Sequence, residues 1–515
     1  MRKGILFLFL VFVGMTNVSA QFHREFNFSE NLHHSIDSVH GSYKKKMLIN
    51  IGIQHIAKVS QGRSNEFYNP LPGSHFHASM LQAKTKKNWT FLFNPVLIKS
   101  FFNKPEIASN QFPLSYPKEY WFNHAQWLNR FDDKKSAINP SSFQFYPGIS
   151  GIIHTKNKRV WGLGYHKILF GVAPDDGLLL SSNAPSFLKL SYENAWSLTK
   201  NKNQTLGLKI FQGWLPSPQF DYESNGIFLG GNPLMVEKGN RSRWISGFDL
   251  RWEKDEGFEF GLNYINLMYW PAERLASLIP VESFLHRPKK RVALGHLGMG
   301  SIYAKYSIPE QGLFLWGELG TGNSSFTPIS IFLRDTLLMG YTIGIQKNMT
   351  ISAKKSIELF AQISSVQAST LYQAKSSTSW YVNSTVSQGY THHGQVIGSG
   401  IGPGGASAYF SASVKTPALS WGIFGERLMH NKDFFYANFY SFNGAFRRHW
   451  VDLSLGGYAK FKGSTTTQLI GLSVVKSFNH QWQMKDNAPS FFDGYGIDRS
   501  GFRLNYWIQL HQCKK

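Results

Sequence analysis

Many short stretches of the chain alternate apolar and polar residues with a period of two. Successive side chains of a β-strand point to opposite faces, so this pattern predicts strands whose two faces meet different environments. The apolar positions of four such stretches are Phe258, Phe260, Leu262 and Tyr264; Val451, Leu453 and Leu455; Phe502, Leu504, Tyr506, Ile508 and Leu510; and Trp244, Phe248, Leu250 and Trp252. Between them lie mostly polar or small residues such as Glu259, Asp452 and Arg503. The second face therefore suits a wet interior.

A soluble β-sandwich also alternates, so three further observations are needed to favour a membrane barrel. The alternation recurs over most of the chain, and no apolar segment of helical length follows the first 20 residues. Aromatic pairs and triplets lie near predicted strand ends, as in the interfacial girdles of barrels. They are Tyr120-Trp121, Tyr269-Trp270, Phe434-Phe435-Tyr436 and Tyr506-Trp507. Since lipid cannot satisfy an open sheet edge, we predict an all-β fold, a closed transmembrane antiparallel β-barrel.

The length sets the size of this barrel. At about 25 residues per strand and loop, residues 65–510 would form roughly 18 strands, with 16 or 20 equally allowed. Residues 101–138 contain three prolines and an acidic-basic run, which indicate an irregular excursion. A long connection of this kind often enters the lumen, so we expect a partly plugged barrel. Residues 511–515 are expected to form a C-terminal tail.

Residues 21–64 are predicted to hold an N-terminal periplasmic or helical segment and the first strand region. Leu32, Ile36 and Val39 are spaced four and three residues apart, and Ser29 can cap the segment. This spacing predicts a short amphipathic helix before the barrel.

The first 20 residues have the features of a secretory signal peptide. Arg2 and Lys3 form a basic start, Ile5–Val13 is apolar, and Val18-Ser19-Ala20 fits the small-x-small rule for cleavage. The apolar run is too short for a membrane-spanning helix, which needs roughly 20 residues. We therefore expect cleavage after Ala20 and export to the bacterial outer membrane.

Composition narrows the class of protein. With 42% hydrophobic and 15% aromatic residues the chain is not a disordered tail, and its mean hydropathy of −0.25 excludes a helical membrane protein. Its one cysteine, Cys513, leaves no intramolecular disulfide framework and no thiolate metal cluster.

The net charge of +23 falls to +21 once the leader, with two basic and no acidic residues, is removed. The cations are scattered in clusters such as Lys44–Lys46, Lys84–Lys87 and Lys289–Arg291. Export argues against a nucleic-acid partner. Scattered cations suit outer-membrane lipid, lipopolysaccharide phosphates or an acidic polysaccharide, although each cluster is equally explained by solvated loop charges. We expect a monomer.

The segment 387–405 is unusually rich in glycine. Gly400, Gly402 and Gly405 match G-x-G-x-x-G, the pyrophosphate cradle of dinucleotide-binding proteins. Pro403 interrupts this match, and the strand-like Ala408–Val414 follows in place of a helix. We interpret the segment as a tight turn or a loop folded into the lumen. The glycines assigned to this structural role are Gly394, Gly398, Gly400, Gly402 and Gly404.

His392 and His393 could suggest a metal site. Adjacent residues of a strand point to opposite faces, however, and cannot share one ion without a bend. We therefore predict no metal. The sequence nominates no nucleophile-base constellation and no carboxylate pair, and we expect a protein without cofactor that is not an enzyme.

Several segments, in order along most of the chain, resemble the Wzi family of outer-membrane capsule-assembly proteins in its Bacteroidota-type form. They are Trp89–Pro95, Tyr146–Gly151, Leu178–Phe187, Trp316–Glu318, Gly340–Lys347 and the glycine-rich 387–405. The resemblance implies an 18-stranded barrel with a periplasmic helical element and a largely plugged lumen. It also implies a lectin that holds capsular polysaccharide on the cell surface. The tail after Leu510 departs from the usual aromatic end of such barrels.

Aromatic faces and charged side chains are the groups that bind acidic sugars, and many weak contacts along one polymer give avidity. Candidate polysaccharide contacts, chosen by residue type, are Trp380, Tyr390, His392, Arg447 and Arg448. Two other functions stay open. An outer-membrane channel or transporter, or an accessory subunit of a secretion apparatus, would share the leader and the strand pattern.

Overall fold

The computed structural model describes the strands of the chain and part of their connections. The described residues are 47–58, 73–86, 88–102, 141–171, 177–199, 203–217, 228–229, 232–233, 241–254, 257–270, 296–322, 338–368, 379–382, 386, 388–393, 395–433, 449–479 and 498–514. The predicted helix after Ser29, the leader and most of the excursion 101–138 lie outside them.

The described residues form 24 strands and one 3-10 turn, Pro309–Gln311. The strands are β1 Met47–Lys58, β2 Gly73–Lys86, β3 Trp89–Phe93, β4 Val96–Phe102, β5 Ser141–Tyr146, β6 Gly151–Lys156, β7 Arg159–Gly164, β8 Leu188–Ser197, β9 Gln204–Leu215, β10 Phe228–Leu229, β11 Asn232–Pro233, β12 Arg243–Lys254, β13 Phe258–Tyr269, β14 His296–Ile308, β15 Leu313–Gly322, β16 Leu338–Ser352, β17 Lys355–Ser365, β18 Thr391–His392, β19 Gln395–Val396, β20 Ala406–Lys415, β21 Leu419–Met429, β22 Val451–Lys462, β23 Thr466–Phe478 and β24 Arg499–Lys514.

Twenty of these strands form one antiparallel sheet that returns to its starting strand. β1 pairs with β2 on one side and with β24 on the other, so Met47 lies opposite Lys514 and Lys58 opposite Arg503. In the described chain β4 continues β3 and β6 continues β5, which reduces the 20 strands of the sheet to 18 around the ring. The ladder is therefore a closed barrel. The last strand continues through residues 511–514, so the prediction that these residues form a C-terminal tail is wrong.

Two neighbouring strands of the ring, β3–β4 and β5–β6, are interrupted at the same place. Side chains there form hydrogen bonds with backbone N–H groups at the interruption. The Asn94 backbone N–H donates to Ser150 Oγ (2.8 Å), and Asn94 Oδ1 accepts from the N–H of Ile149 (3.1 Å). Gly148 has a φ of +59°, and a Cβ there would lie 2.0 Å from the carbonyl oxygen of Asn94. Glycine is therefore required at this crossing. Pairing resumes with a shift of one residue, from Val96–Tyr146 to Leu92–Gly151.

The predicted alternation is confirmed in the strands. Leu455 is 64% exposed on the outside of β22, while its neighbours Ser454 and Asp452 are buried on the inside. The apolar positions predicted in β24 also share the outer face, and the inner face carries Arg503, Asn505 and Gln509. No helix in the described part of the chain is long and apolar enough to cross a membrane.

Exposed aromatic side chains lie on the outer face near both ends of the strands, as expected of interfacial girdles. They include Trp89, Trp196, Phe258, Tyr306, Trp421 and Phe461 at one end, and Phe101, Trp214, Trp270, Tyr341, Phe478 and Phe502 at the other. Trp270 was predicted to belong to a girdle and does. Trp507, from another predicted pair, instead points inward and is buried.

The connections divide by length between the two ends of the barrel. Eight short ones are all at the end where β1 begins and β24 finishes, and they cover 87–88, 157–158, 198–203, 255–257, 309–312, 353–354, 416–418 and 463–465. Nine long ones are at the opposite end. Short turns face the periplasm in barrels of this kind, so the long connections face the cell exterior.

The lipid-facing assignment of β22 can be tested at two depths. Leu455→Arg, in the middle of the strand, is expected to lower the free energy of unfolding by about 2–4 kcal/mol, because it places a cation in hydrocarbon. Ala459→Arg lies on the same face nearer the short-turn end and should cost less, about 0–1 kcal/mol. Guanidinium unfolding in lipid vesicles measures both. Equal losses at the two positions would contradict the assignment.

Candidate functional site: a plugged lumen

The long-loop half of the lumen is filled by two inward segments, residues 177–187 and 379–405, which we call the plug in so far as they are described. Leu178, Leu179 and Leu180 of the first segment are buried. They belong to one apolar cluster with Trp380, Tyr390 and Ile401 of the second. The inner wall joins this cluster through Ile245, Ile265, Leu267, Leu297, Met299 and Leu338. A dry core therefore occupies the lumen at this height.

The two plug segments are bonded to each other through polar groups. Tyr381 Oη donates to the carbonyl of Leu178 (2.8 Å), and Tyr390 Oη donates to that of Leu179 (2.6 Å). Ser181 Oγ donates to the carbonyl of Gly398 (2.6 Å). Asn183 Nδ2 donates to that of Val396 (2.7 Å). Because buried carbonyls are costly when unbonded, these contacts hold the segments in one arrangement.

The wall of β15 and β16 is shaped to receive Trp380. A Cβ added at Gly340 would lie 2.7 Å from the indole, and one at Gly322 would lie 3.2 Å from it. Trp380 is fully buried against this glycine surface. The glycines thus provide the space that the ring fills.

Residues 430–433, which follow β21, fasten the plug to the wall. The Asp433 carboxylate accepts from the backbone N–H of Ala368 (2.9 Å) and from Ser379 Oγ (2.7 Å). The N–H of Lys432 donates to the carbonyl of Gly404 (2.9 Å). His430 Nε2 lies 2.8 Å from Asp452 Oδ2 on the inner face of β22. The plug is therefore tied to the barrel on this side as well.

Three basic side chains are buried where β8 and β12 meet the plug. Lys189 Nζ donates to the carbonyl of Phe187 (3.2 Å), and Arg243 donates to that of Gly389 (3.0 Å). His392 is buried beside them, and burial holds the pKa of its imidazole well below the ordinary value. Repulsion from His393, Arg243 and Lys189 lowers this pKa further. His392 is therefore neutral at physiological pH.

Below the plug, on the short-turn side, the inner wall from β8 to β14 carries paired charges. Arg251 Nη2 contacts Glu193 Oε1 (2.9 Å), and Arg251 Nε contacts Glu253 Oε1 (3.0 Å). Lys305 Nζ contacts Glu259 Oε2 (3.2 Å). We call these five residues the ionic wall. Their side chains retain part of their exposure, so this half of the lumen is wet.

Glu318 connects this wet half to the plug. Its Oε1 accepts from Ser301 Oγ (2.6 Å), and its Oε2 accepts from the N–H of Leu178 (3.3 Å). Nearby, Tyr303 Oη donates to Asp249 Oδ1 (2.8 Å). A polar layer therefore separates the dry core from the ionic wall.

The sequence-nominated residues lie mainly in the plug. Trp380, Tyr390 and His392 are all buried there rather than presented to the exterior. Arg447, Arg448 and Gly394 lie outside the described residues. The remaining nominated glycines, Gly398, Gly400, Gly402 and Gly404, line the turns of the second plug segment, and Gly402 and Gly404 have φ values of +76° and +57°. The strand expected after them is β20.

His392 and His393 do not point to opposite faces of a straight strand, as the sequence pattern suggested. His393 has a φ of +47°, so the chain bends and brings the two rings to 4.3 Å. Within the described chain no group of three or more His, Cys, Asp or Glu side chains is placed to hold a metal ion.

Sequence reasoning did not nominate Lys189, Arg243, Glu193 or Arg251 as functional. A signal exists in the pattern for Lys189 and Arg251, because each is a charge with an apolar residue on both sides. Such charges point to the interior of a barrel.

The neutral burial of His392 predicts a pH dependence. The unfolded histidine has a pKa of about 6.5, so the unfolded chain binds a proton that the folded chain does not bind until the pH is much lower. The contribution of His392 to the free energy of unfolding should be fully present above pH ~6.5. As the pH is lowered below this value, the free energy of unfolding should decrease by at most about 1.4 kcal/mol per pH unit. His392→Gln should remove this part of the slope in detergent-micelle unfolding between pH ~7 and ~5.

His393→Gln is the matched control: His393 is exposed, and because burial is the larger cause of the low pKa of His392, the slope should persist when the repulsion from His393 is removed. A variant His392→Gln with the slope of the native chain would refute the assignment. His449, whose burial lowers its pKa to about 4, is unchanged in all three chains and cancels from the comparison.

No protein-family model matches the chain, and no curated protein matches it. Among solved structures, it is similar to Wzi of Escherichia coli, an outer-membrane protein involved in group 1 capsule assembly and described as a carbohydrate-binding β-barrel. The TM-score is 0.57 at 10% identity, over 94% of this chain and 88% of Wzi.

OccAB4 of Acinetobacter baumannii and OccD3 of Pseudomonas aeruginosa also match, with TM-scores of 0.42 and 0.40 and identities of 7% and 9%. These matches cover 92% and 91% of this chain, and 99% and 91% of the other proteins. The likeness to Wzi, together with the closed ladder, shows that this chain has the fold of a bacterial outer-membrane β-barrel and resembles Wzi.

Proposed function

We propose that the protein binds capsular or other surface polysaccharide and holds it at the cell surface as an outer-membrane lectin. The observation that carries the proposal is the plug, which fills the exterior half of the lumen with a bonded, dry core. A barrel closed in this way is better suited to presenting a surface than to passing a solute. The likeness to Wzi, itself described as carbohydrate-binding, supports the same role.

The charge of the chain supports an acidic polymer as ligand. The net charge of +21 that remains without the leader attracts uronate or phosphate groups, and repeated weak contacts along one polymer add to a high avidity. The exterior connections that would make these contacts include Arg447 and Arg448. In this proposal the role is non-catalytic, the protein acts as a monomer among lipid and lipopolysaccharide, and its leader is cleaved after Ala20.

Ion conductance separates this proposal from a channel. The native protein should give little current in planar bilayers. Tyr381→Phe combined with Tyr390→Phe removes two hydroxyl donors, each contributing about 0.5–1.5 kcal/mol, and should produce brief openings as the plug loosens. Tyr341→Phe, on the lipid face, is the control and should behave like the native chain. Stable open steps from the native protein would favour a channel.

Retention of polysaccharide tests the role in cells. A strain without the gene should release surface polysaccharide into the medium, and the gene restored on a plasmid should return it to the cell-associated fraction. The comparison is made by assaying both fractions for the same sugar. Unchanged retention would refute the capsule role, and loss of a secreted protein with retention intact would indicate the secretion accessory instead.

A further inference from the structure

The outer face of β20 to β23 is mostly apolar, and its few charges are at one level. Among the described side chains of this face, only Arg427 of β21 and Lys476 of β23 are charged, and both are basic. Each is the third residue from the exterior end of its strand. Phe478, two residues beyond Lys476, belongs to the exterior aromatic girdle. Girdles mark the boundary between hydrocarbon and headgroups, so both cations lie close to the headgroups of the exterior leaflet.

The pairing of the strands holds these two cations in one row. Arg427 lies opposite Leu453 of β22, and Leu453 lies opposite Lys476. Neighbouring strands are about 4.8 Å apart, so the Cα atoms of Arg427 and Lys476 are roughly 10 Å apart. Both side chains are long and flexible, so a guanidinium and an ammonium can reach one anionic headgroup from its two sides.

Neither cation has an anionic partner in the part of the chain that the structure describes. Arg427 is exposed. Lys476 Nζ lies 5.9 Å from the centroid of the Phe478 ring, so the ammonium points along the strand towards the exterior. This is the direction in which a lysine on a lipid-facing surface extends to reach headgroups.

The acidic residues beside this row face the other way. Glu426 and Asp452 are on the inner face, where Glu426 accepts from Ser407 Oγ (2.8 Å) and Asp452 contacts His430 (2.8 Å). They are therefore separated by the barrel wall from the cations on the outside. The positive charge of the row has to be balanced by an anion from the membrane or from solution.

The surface below the two cations suits acyl chains. In the next row towards the middle of the bilayer, Leu455 lies between Gly425 and Val474. A Cβ at Gly425 would lie 2.4 Å from the Phe410 ring, so this ring covers the backbone there. Phe410, Leu455 and Val474 are all exposed. A continuous apolar surface therefore extends from the cations into the hydrocarbon region.

We propose that Arg427 and Lys476 form a site on the outside of the barrel that binds the phosphate of a phosphorylated glycolipid, lipopolysaccharide, in the exterior leaflet. A guanidinium binds phosphate oxygens in a bidentate manner, and an ammonium supplies a second positive charge. The acyl chains of the same lipid lie on the apolar surface below. The site is separate from the lumen and does not depend on the polysaccharide role proposed above.

Binding of defined lipids to the purified full chain tests the site. The protein, folded in a neutral detergent, is titrated with diphosphoryl lipid A, and bound lipid is counted by native mass spectrometry. Arg427→Gln with Lys476→Gln should weaken binding about tenfold, because two charge-assisted contacts are lost. The native chain should bind enzymatically dephosphorylated lipid A about tenfold more weakly for the same reason.

Lys254→Gln with Lys355→Gln is the matched control. It removes the same amount of charge from exposed cations at the short-turn end, and should leave the Kd for lipid A unchanged. Lys476→Arg keeps the charge and should also bind like the native chain. Heat-dependent gel migration verifies that each variant is folded.

Two further probes distinguish the sources of the phosphate. Phosphatidylglycerol carries its phosphate in a diester, and inorganic phosphate has no acyl chains. Weaker binding of phosphatidylglycerol than of lipid A, with no displacement of lipid A by an equal concentration of inorganic phosphate, supports the site. Equal binding of the two lipids, or displacement by inorganic phosphate, overturns the assignment to a glycolipid.

The site itself is overturned if removal of the phosphates leaves the affinity unchanged, or if the paired substitution of Arg427 and Lys476 binds lipid A like the native chain. A loss of binding that is equally large in the control pair also overturns it. Retention of polysaccharide by cells is measured separately, so the surface role can stand or fall independently.

Discussion

The structure depends on the requirement that every backbone N–H and C=O inside the bilayer be bonded within the protein. Hydrocarbon offers no substitute partner, so a sheet can cross only if its last strand pairs with its first. β24 pairs with β1 at every residue of β1, from Met47 to Lys58, and this pairing meets the requirement. Where β3–β4 and β5–β6 break together, Asn94 and Ser150 supply side-chain partners.

A closed wall then leaves the interior to be filled, and the chain fills its two halves differently. On the exterior side, apolar plug residues require apolar wall residues such as Ile245 and Leu267. On the periplasmic side, the wall from β8 to β14 carries ion pairs whose side chains are partly exposed. The exterior half of the lumen is thus filled by an apolar core, and the periplasmic half is wet.

This division explains what the sequence could and could not predict. Outer-face side chains are exposed along most strands, so alternation identified four of the strands. The barrel class also required the aromatic pairs, and the length of the chain predicted a ring of 16 to 20 strands. Alternation is cleanest where the inner face is polar and the outer face exposed, as in Asp452–Gly456, and weakest where both faces are buried, as in Tyr264–Met268. The composition of 387–405 correctly indicated turns, and β20 follows them as expected.

The candidate sugar contacts could not be placed from residue type alone. Trp380 and Tyr390 were chosen by residue type, but their positions depend on glycines of β15 and β16 and on a carbonyl of a distant segment. The bend at His393 is likewise a local backbone feature that a strand pattern does not report. Contacts of this kind become visible only when segments far apart in sequence are assembled.

The bonds between the two plug segments also constrain how the molecule is made. Asn183 and Val396 are separated by 213 positions, and the strands β8 to β17 lie between them. Before the intervening wall forms, joining these partners would carry the closure entropy of the whole loop with no wall contacts to offset it. We therefore expect the plug to be completed after the strands between its two segments have paired.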